Sequence, residues 1–148
     1  VSTADREDFR FSIRVYYEDT DAGGVVYYAN YLKFFERART EWLRALGFEQ
    51  QLLAQETGCI FIVRGIQTQY RRPAVLDDLL CIRSRVSRLG KASIDFEQFC
   101  ERGGDLLASG RVEVGCVDRL TLRPRPLPPG LSQAMAPLVA QSAEPRLP

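Results

Sequence analysis

The chain has 148 residues, a net charge of +1 at neutral pH, 45% hydrophobic and 26% charged residues, and no histidine. This is the make-up of one ordinary globular domain with a core of its own; it lacks the basic excess of a nucleic-acid-binding face. No apolar run approaches the ~18–20 residues a membrane span requires. Without histidine, neither a Ser-His-Asp or Cys-His triad nor an H-E-x-x-H metal site can be built, so catalysis must rest on carboxylates, Lys, Tyr, Ser, Cys, backbone amides or an added cofactor.

The opening VSTADREDFR is polar and acidic, unlike a signal or transit peptide, so the cytoplasm is the expected compartment. Phe9 to Asp19 (FRFSIRVYYED) is rich in aromatic and β-branched residues and predicts a strand, which Gly23-Gly24 breaks. From Asn30 to Leu46 the period changes. Tyr31, Phe34, Phe35, Ala38, Trp42, Ala45 and Leu46 recur at helical spacing, and Lys33, Glu36, Arg37, Arg39, Glu41 and Arg44 fall on the opposite face. This predicts an amphipathic helix, with Asn30 as a candidate cap at its start and Gly47 as its left-handed C-terminal residue. A shorter helix is expected near Glu49–Glu56.

Four β-rich segments follow, at 59–74, 78–90, 92–101 and 106–119. Leu89-Gly90-Lys91 and Arg102-Gly103-Gly104-Asp105 suit hairpin connections. Beyond Arg119 the composition shifts, and seven of the eight prolines lie there. The expected division is a domain over 1–122 and a Pro-rich tail over 123–148, extended apart from one short helical turn. One antiparallel sheet wrapped around one long helix, an α+β layout, buries both apolar faces.

Cys59, Cys81, Cys100 and Cys116 are widely spaced within apolar runs and lack a C-x-x-C element. Four buried free thiols are expected, with neither a zinc set nor a disulfide framework.

The strand ending in DTDAGGVVYYANY and feeding the helix LKFFERARTEWLRALGF resembles the hotdog-fold acyl-CoA thioesterases over about Phe11 to Val117. The likeness is nearest to the Tol–Pal-associated group, with the 4-hydroxybenzoyl-CoA thioesterases next. The resemblance implies a central helix inside a curved sheet, homodimers often paired into homotetramers, and active sites at the dimer interface. It implies hydrolysis of a small or short-chain acyl-CoA to free acid and CoA, with no metal or redox cofactor and coenzyme A present only as part of the substrate.

Thioester hydrolysis needs water or a nucleophile at the carbonyl, and a donor for the oxyanion. A carboxylate supplies the first as general base or by forming a mixed anhydride; unpaired amides at a helix start supply the second. Three acids compete: Glu18, Asp19 and Asp21. The resemblance assigns catalysis to Asp21 and leaves Asp19 to hold the loop, whereas Asp before Gly is by itself ordinary turn chemistry. Gly23 and Gly24 permit positive φ and close substrate approach, with Gly24 a substrate-binding candidate.

Tyr28 stands where the Tol–Pal-associated group commonly has histidine and the 4-hydroxybenzoyl-CoA group has tyrosine. In the latter the backbone N–H polarises the carbonyl, so Tyr28 is the carbonyl donor candidate. Glu36 and Glu41 are weaker catalytic candidates, since neighbouring arginines suit surface pairing. The resemblance implies basic residues for CoA on the hairpin RLGKAS; Lys91 matches that position, with Arg88 and Ser93 beside it as substrate-binding candidates and Arg71 and Arg72 as secondary ones. Two alternatives remain: acyl groups delivered on an acyl carrier protein, and a weakly active binding module of an envelope-associated assembly.

Overall fold

The computed structural model describes residues 8–141. Five strands form one antiparallel sheet in the order β1-β3-β4-β5-β2: β1 Phe9–Arg14, β2 Cys59–Tyr70, β3 Leu79–Leu89, β4 Ser93–Arg102 and β5 Asp105–Asp118. Helix α1, Asn30–Ala45, lies against one face and is followed by the short α2, Gln50–Thr57. This is the expected hotdog architecture.

The aromatic stripe of α1 decides where it lies. Tyr31, Phe34, Phe35, Ala38, Trp42 and Leu43 are buried, and the ring of Phe35 rests over Gly110 of β5. A Cβ at Gly110 would come within 2.9 Å of that ring. At the other end Trp42 stacks on Phe9 and meets Phe96 edge to face. The helix stops as expected: Gly47 has φ +95°, its N–H bonds to Arg44 O, and the Phe48 N–H bonds to Leu43 O. These two bonds are the paired closure of a left-handed helix end.

The β3–β4 and β4–β5 hairpins form where expected. In the second, Gly103 and Gly104 both have positive φ, the geometry of a two-residue turn matched to sheet twist. The first strand is shorter than expected, because Tyr17–Asp19 turns into one 3-10 turn. Asn30 is the first helical residue, and its side chain caps nothing; the position before it is Ala29.

Three expectations are corrected. The described part of the C-terminal segment is not an extended tail: α3, Pro129–Gln141, is a helix whose Leu131 and Met135 are buried in one cluster with Trp42, Phe96 and Val112. Pro129 at its first position needs no N–H partner, which is why a Pro-rich segment can start a helix; the remainder, 142–148, lies outside the described residues. The cysteines are not four separate buried thiols. Cys59 of β2 is joined to Cys116 of β5 with a Cα–Cα distance of 6.3 Å, and Cys81, half-buried, and Cys100 are free. That pairing depends on the β2–β5 register, which composition does not reveal. Arg39 leaves the charged face and is buried.

Among the described residues no helix is long and apolar enough to cross a membrane. Because Phe35 and Gly110 are in contact, Gly110→Val should overpack the helix–sheet seam and cost about 1–3 kcal/mol. Phe35→Ala should cost about 3–5 kcal/mol through the cavity it leaves. Urea denaturation midpoints of the two variants check both values.

Candidate active site

The loop between β1 and α1 is held by the backbone carbonyl of Asp19. It accepts from the Tyr27 N–H at 2.9 Å and from Asn30 Nδ2 at 2.8 Å, tying the loop to the first residue of the helix. The buried Asp19 carboxylate accepts from the Tyr16 N–H at 2.8 Å. Asp19 therefore holds the loop and is not free to meet a substrate.

Asp21 is placed differently. Its side chain is exposed, and Oδ1 accepts from the Gly23 N–H at 2.8 Å. Its backbone closes a turn, Asp21 N–H to Val25 O at 2.8 Å and Gly24 N–H to Asp21 O at 3.0 Å. Gly24 has φ +82°, a conformation other residues adopt with strain, and a Cβ there would meet nothing within 4 Å. Its glycine is thus required by the turn rather than by neighbouring protein atoms. The turn uses Oδ1 of the exposed Asp21, and among the described residues Oδ2 has no hydrogen-bond partner, so ordinary turn chemistry and an accessible carboxylate coexist in one residue.

The turn leads straight into the mouth of α1. Tyr28 is 61% exposed, and among the described residues no group accepts from its amide. Its carbonyl accepts from the Tyr70 hydroxyl at 3.1 Å, linking the helix start to the end of β2. Tyr27, Tyr28, Tyr70 and Tyr31 form a chain of ring contacts, with centroids 4.8, 6.2 and 5.4 Å apart. The Tyr27 phenol is held above its ordinary value by its side-chain hydrogen bond to Tyr28, with Asp21 a smaller contributor.

The remaining candidates separate. Glu41 pairs with Arg44 at 2.6 Å, and the Glu36 carboxylate accepts from the Thr40 hydroxyl. Arg88 and Lys91 are exposed, Arg88 lies 4.0 Å from Asp95, and the Ser93 carbonyl accepts from Gly90 N–H. This β3–β4 hairpin lies at the far end of the sheet from Asp21: β3 begins beside the acid loop and ends at the hairpin. Ten steps of extended chain put about 33 Å between them. At the Asp21 end of the same chain are instead Arg71 and Arg72, just past Tyr70, where Arg72 reaches Asp105 at 3.7 Å. Cys100 is pushed up to about 12, first by burial, and stays a protonated thiol. Among the described residues no cluster of His, Cys, Asp and Glu could hold a metal ion.

A strand, an acid-glycine turn and an open helix mouth against a curved sheet have a counterpart among known families. Over residues 15–135 the chain matches the thioesterase-like superfamily. It belongs to that superfamily. It is similar to the acyl-CoA thioesterase YbgC of Haemophilus influenzae, 50% identical over 120 residues, which cover 81% of this chain and 88% of that protein. It is also similar to the acyl-CoA thioester hydrolase YbgC of Escherichia coli O6:H1, 48% identical over 121 residues, 81% of this chain and 90% of that one. Among solved structures it resembles a probable thioesterase from Bartonella henselae, with TM-score 0.77 and 42% identity, covering 82% of this chain and 99% of that chain. The expected thioesterase family and hydrolase class are borne out.

Asn30→Ala removes the side-chain bond that ties the loop to α1, and should cost about 1 kcal/mol of stability. Hydrogen exchange should also speed up at the Tyr27 amide, which shares the same acceptor; thermal unfolding and exchange mass spectrometry read the two effects.

Proposed function

We propose that this thioesterase hydrolyses an acyl-CoA ester, with Asp21 as base or nucleophile and the Tyr28 amide as the donor that polarises the thioester carbonyl. The observation that carries the reading is an exposed carboxylate, oriented by the Gly23 amide, next to a helix mouth whose Tyr28 N–H has no described acceptor. The positive end of the helix dipole adds to that donor. As the carbonyl carbon becomes tetrahedral, negative charge gathers on its oxygen, where Tyr28 N–H points. As base, Asp21 takes a proton from the water whose oxygen bonds to the carbonyl carbon, the carbon–sulfur bond breaks, and the CoA thiolate leaves with that proton. As nucleophile, the carboxylate displaces the thiolate to form a mixed anhydride, which water hydrolyses to the free acid and restored Asp21. The relatives named as acyl-CoA thioesterases favour this substrate class.

The same reading includes a homodimer, itself able to pair into a homotetramer. β2 is a twelve-residue edge strand, bonded only to β5 within the sheet, and it exposes Ile62, Val63 and Ile66 at 41%, 52% and 42%. An open apolar edge of this length invites a second strand. Antiparallel pairing of two β2 strands about a two-fold axis sets the start of one against the end of the other. The Asp21 end of one copy then lies near the RLGKAS end of the other. Arg88 and Lys91 thereby come to the CoA side of the second copy's site, which one chain cannot arrange by itself.

Asp21→Asn keeps an acceptor for the Gly23 N–H and so should leave the melting temperature unchanged. It should lower kcat by about 10²–10⁴-fold, the span of a positioned base; undiminished release of free thiol from acyl-CoA would sink the assignment. Replacing Arg88 and Lys91 together by alanine should raise KM for a CoA ester several-fold with little change in kcat. The same double variant should leave the pantetheine ester of that acyl group unaffected, because it lacks the nucleotide.

A further inference from the structure

A cavity of about 100 Å³ opens on the flank of α1 that faces β2. Leu43, Phe61, Ile94, Phe96 and Val114 give it apolar walls, and Arg39 lines it together with Glu36, Thr40 and Gln50. Arg39 is only 8% exposed. A guanidinium has five N–H donors, and one bond is described, from Nη1 to Gln98 Oε1 at 3.0 Å. Gln98 is itself oriented: Nε2 donates to Phe35 O and to Ser84 Oγ, both at 2.9 Å. Its carbonyl must therefore face Arg39. Gln98 and Ser84 are fully buried, so the arginine is seated on a rigid base.

Among the described residues the charge on Arg39 has no ion-pair partner. Glu36, one turn earlier, acts on it through space and spends its carboxylate on Thr40. Burial lowers the guanidinium to about 10, which still leaves it charged at neutral pH. A buried cation without a counter-ion is costly, and an apolar side chain would fill the same space without that cost. The arrangement makes sense if an anion comes from outside the chain.

We propose that this cavity takes the far end of the acyl chain and that Arg39 binds a carboxylate there, so that the preferred thioesters are those of dicarboxylic acids. The proposal rests on the acyl-CoA hydrolase reading and deepens it. Phe61 and Val63 line the cavity from the first half of β2, which the antiparallel dimer lays against the second half of the other copy's β2, toward that copy's helix mouth. The thioester carbonyl sits at one copy's helix mouth and the chain end reaches the other copy's Arg39. A volume of about 100 Å³ is too small for a whole ligand, which commonly needs about 300–1,000 Å³. It suits a carboxylate with a few methylenes, and it excludes the phosphates of CoA. A planar guanidinium grips a carboxylate through two parallel bonds, which favours this group over a neutral end.

The test compares matched esters: succinyl- with butyryl-CoA, adipoyl- with hexanoyl-CoA and suberoyl- with octanoyl-CoA. In at least one pair the wild type should show kcat/KM higher by about tenfold or more for the acid-ended ester, the scale of one charge-assisted contact. Arg39→Met should abolish that ratio, Arg39→Lys should keep part of it, and Glu36→Gln, which removes the opposing charge on the rim, should widen it. Should Arg39→Met fail to fold, the wild type alone decides: adipate or suberate should inhibit hexanoyl-CoA hydrolysis competitively, at concentrations about tenfold below hexanoate or octanoate. Hydrolysis with no preference for acid-ended esters and no stronger inhibition by diacids overturns the proposal and leaves the thioesterase reading intact. Absence of thiol release from every ester overturns the thioesterase reading, and calorimetric titration with suberate against octanoate then judges the cavity by itself, equal binding overturning it.

Discussion

The contact between the Phe35 ring and the bare backbone of Gly110 is the constraint on which the other features depend. A helix with an aromatic stripe as broad as that of α1 cannot approach a sheet closely unless one position on the sheet gives way, and Gly110 does so. Once Phe35 is seated, Tyr31 and Trp42 are committed to opposite ends of the sheet. The helix mouth must then open beside the end of β2, where Tyr70 meets the Tyr28 carbonyl. Packing of the core thus sets the position of an amide far more tightly than loop geometry alone could.

Around that mouth the loop divides its acids by burial. Asp19 is inside and bonded to backbone, where a carboxylate rigidifies. Asp21 is outside, with one oxygen used by the turn and the other available. Two acids separated by one threonine thereby acquire different chemistry without any difference in side chain. Within one chain the candidate residues are nevertheless far apart. The basic hairpin of RLGKAS lies at the remote end of the sheet, and the long edge of β2 is unpaired within it. The dimer proposed along β2 addresses both facts, because an antiparallel pairing exchanges the two ends of the sheet.

Much of this fold was legible from the chain. The i, i+3, i+4 recurrence from Tyr31 to Leu46, the stop at Gly47 and the two hairpin glycines each express a local rule, and each appears in the structure as local rules require. The misses share a different character. Arg39 sits among charged neighbours in ERARTE, so a helical wheel assigns it to solvent; its burial arises because β2 and β4 rise beside that flank of the helix. The helical path of Pro129–Gln141 was obscured by proline content, although its prolines occupy a first-turn position and one interior position, and Leu131 and Met135 bury its apolar side. The joining of Cys59 to Cys116 required a strand register that no spacing in the sequence encodes.

By itself the sequence determined the element types from β1 to β5, the hotdog resemblance and the candidacy of Asp21, because these rest on short-range periodicity and on one contiguous motif. Tertiary structure alone decided which acid is exposed, that the Tyr28 amide has no acceptor among the described residues, and that the buried Arg39 has no ion pair among them. Those properties are differences in solvation and partnership, and they arise only when residues distant in the chain, such as Arg39 and Gln98 or Tyr28 and Tyr70, are brought within hydrogen-bonding reach. The separation of Arg88 and Lys91 from Asp21 has the same origin. Strand order converts a modest distance along the chain into the full length of a sheet.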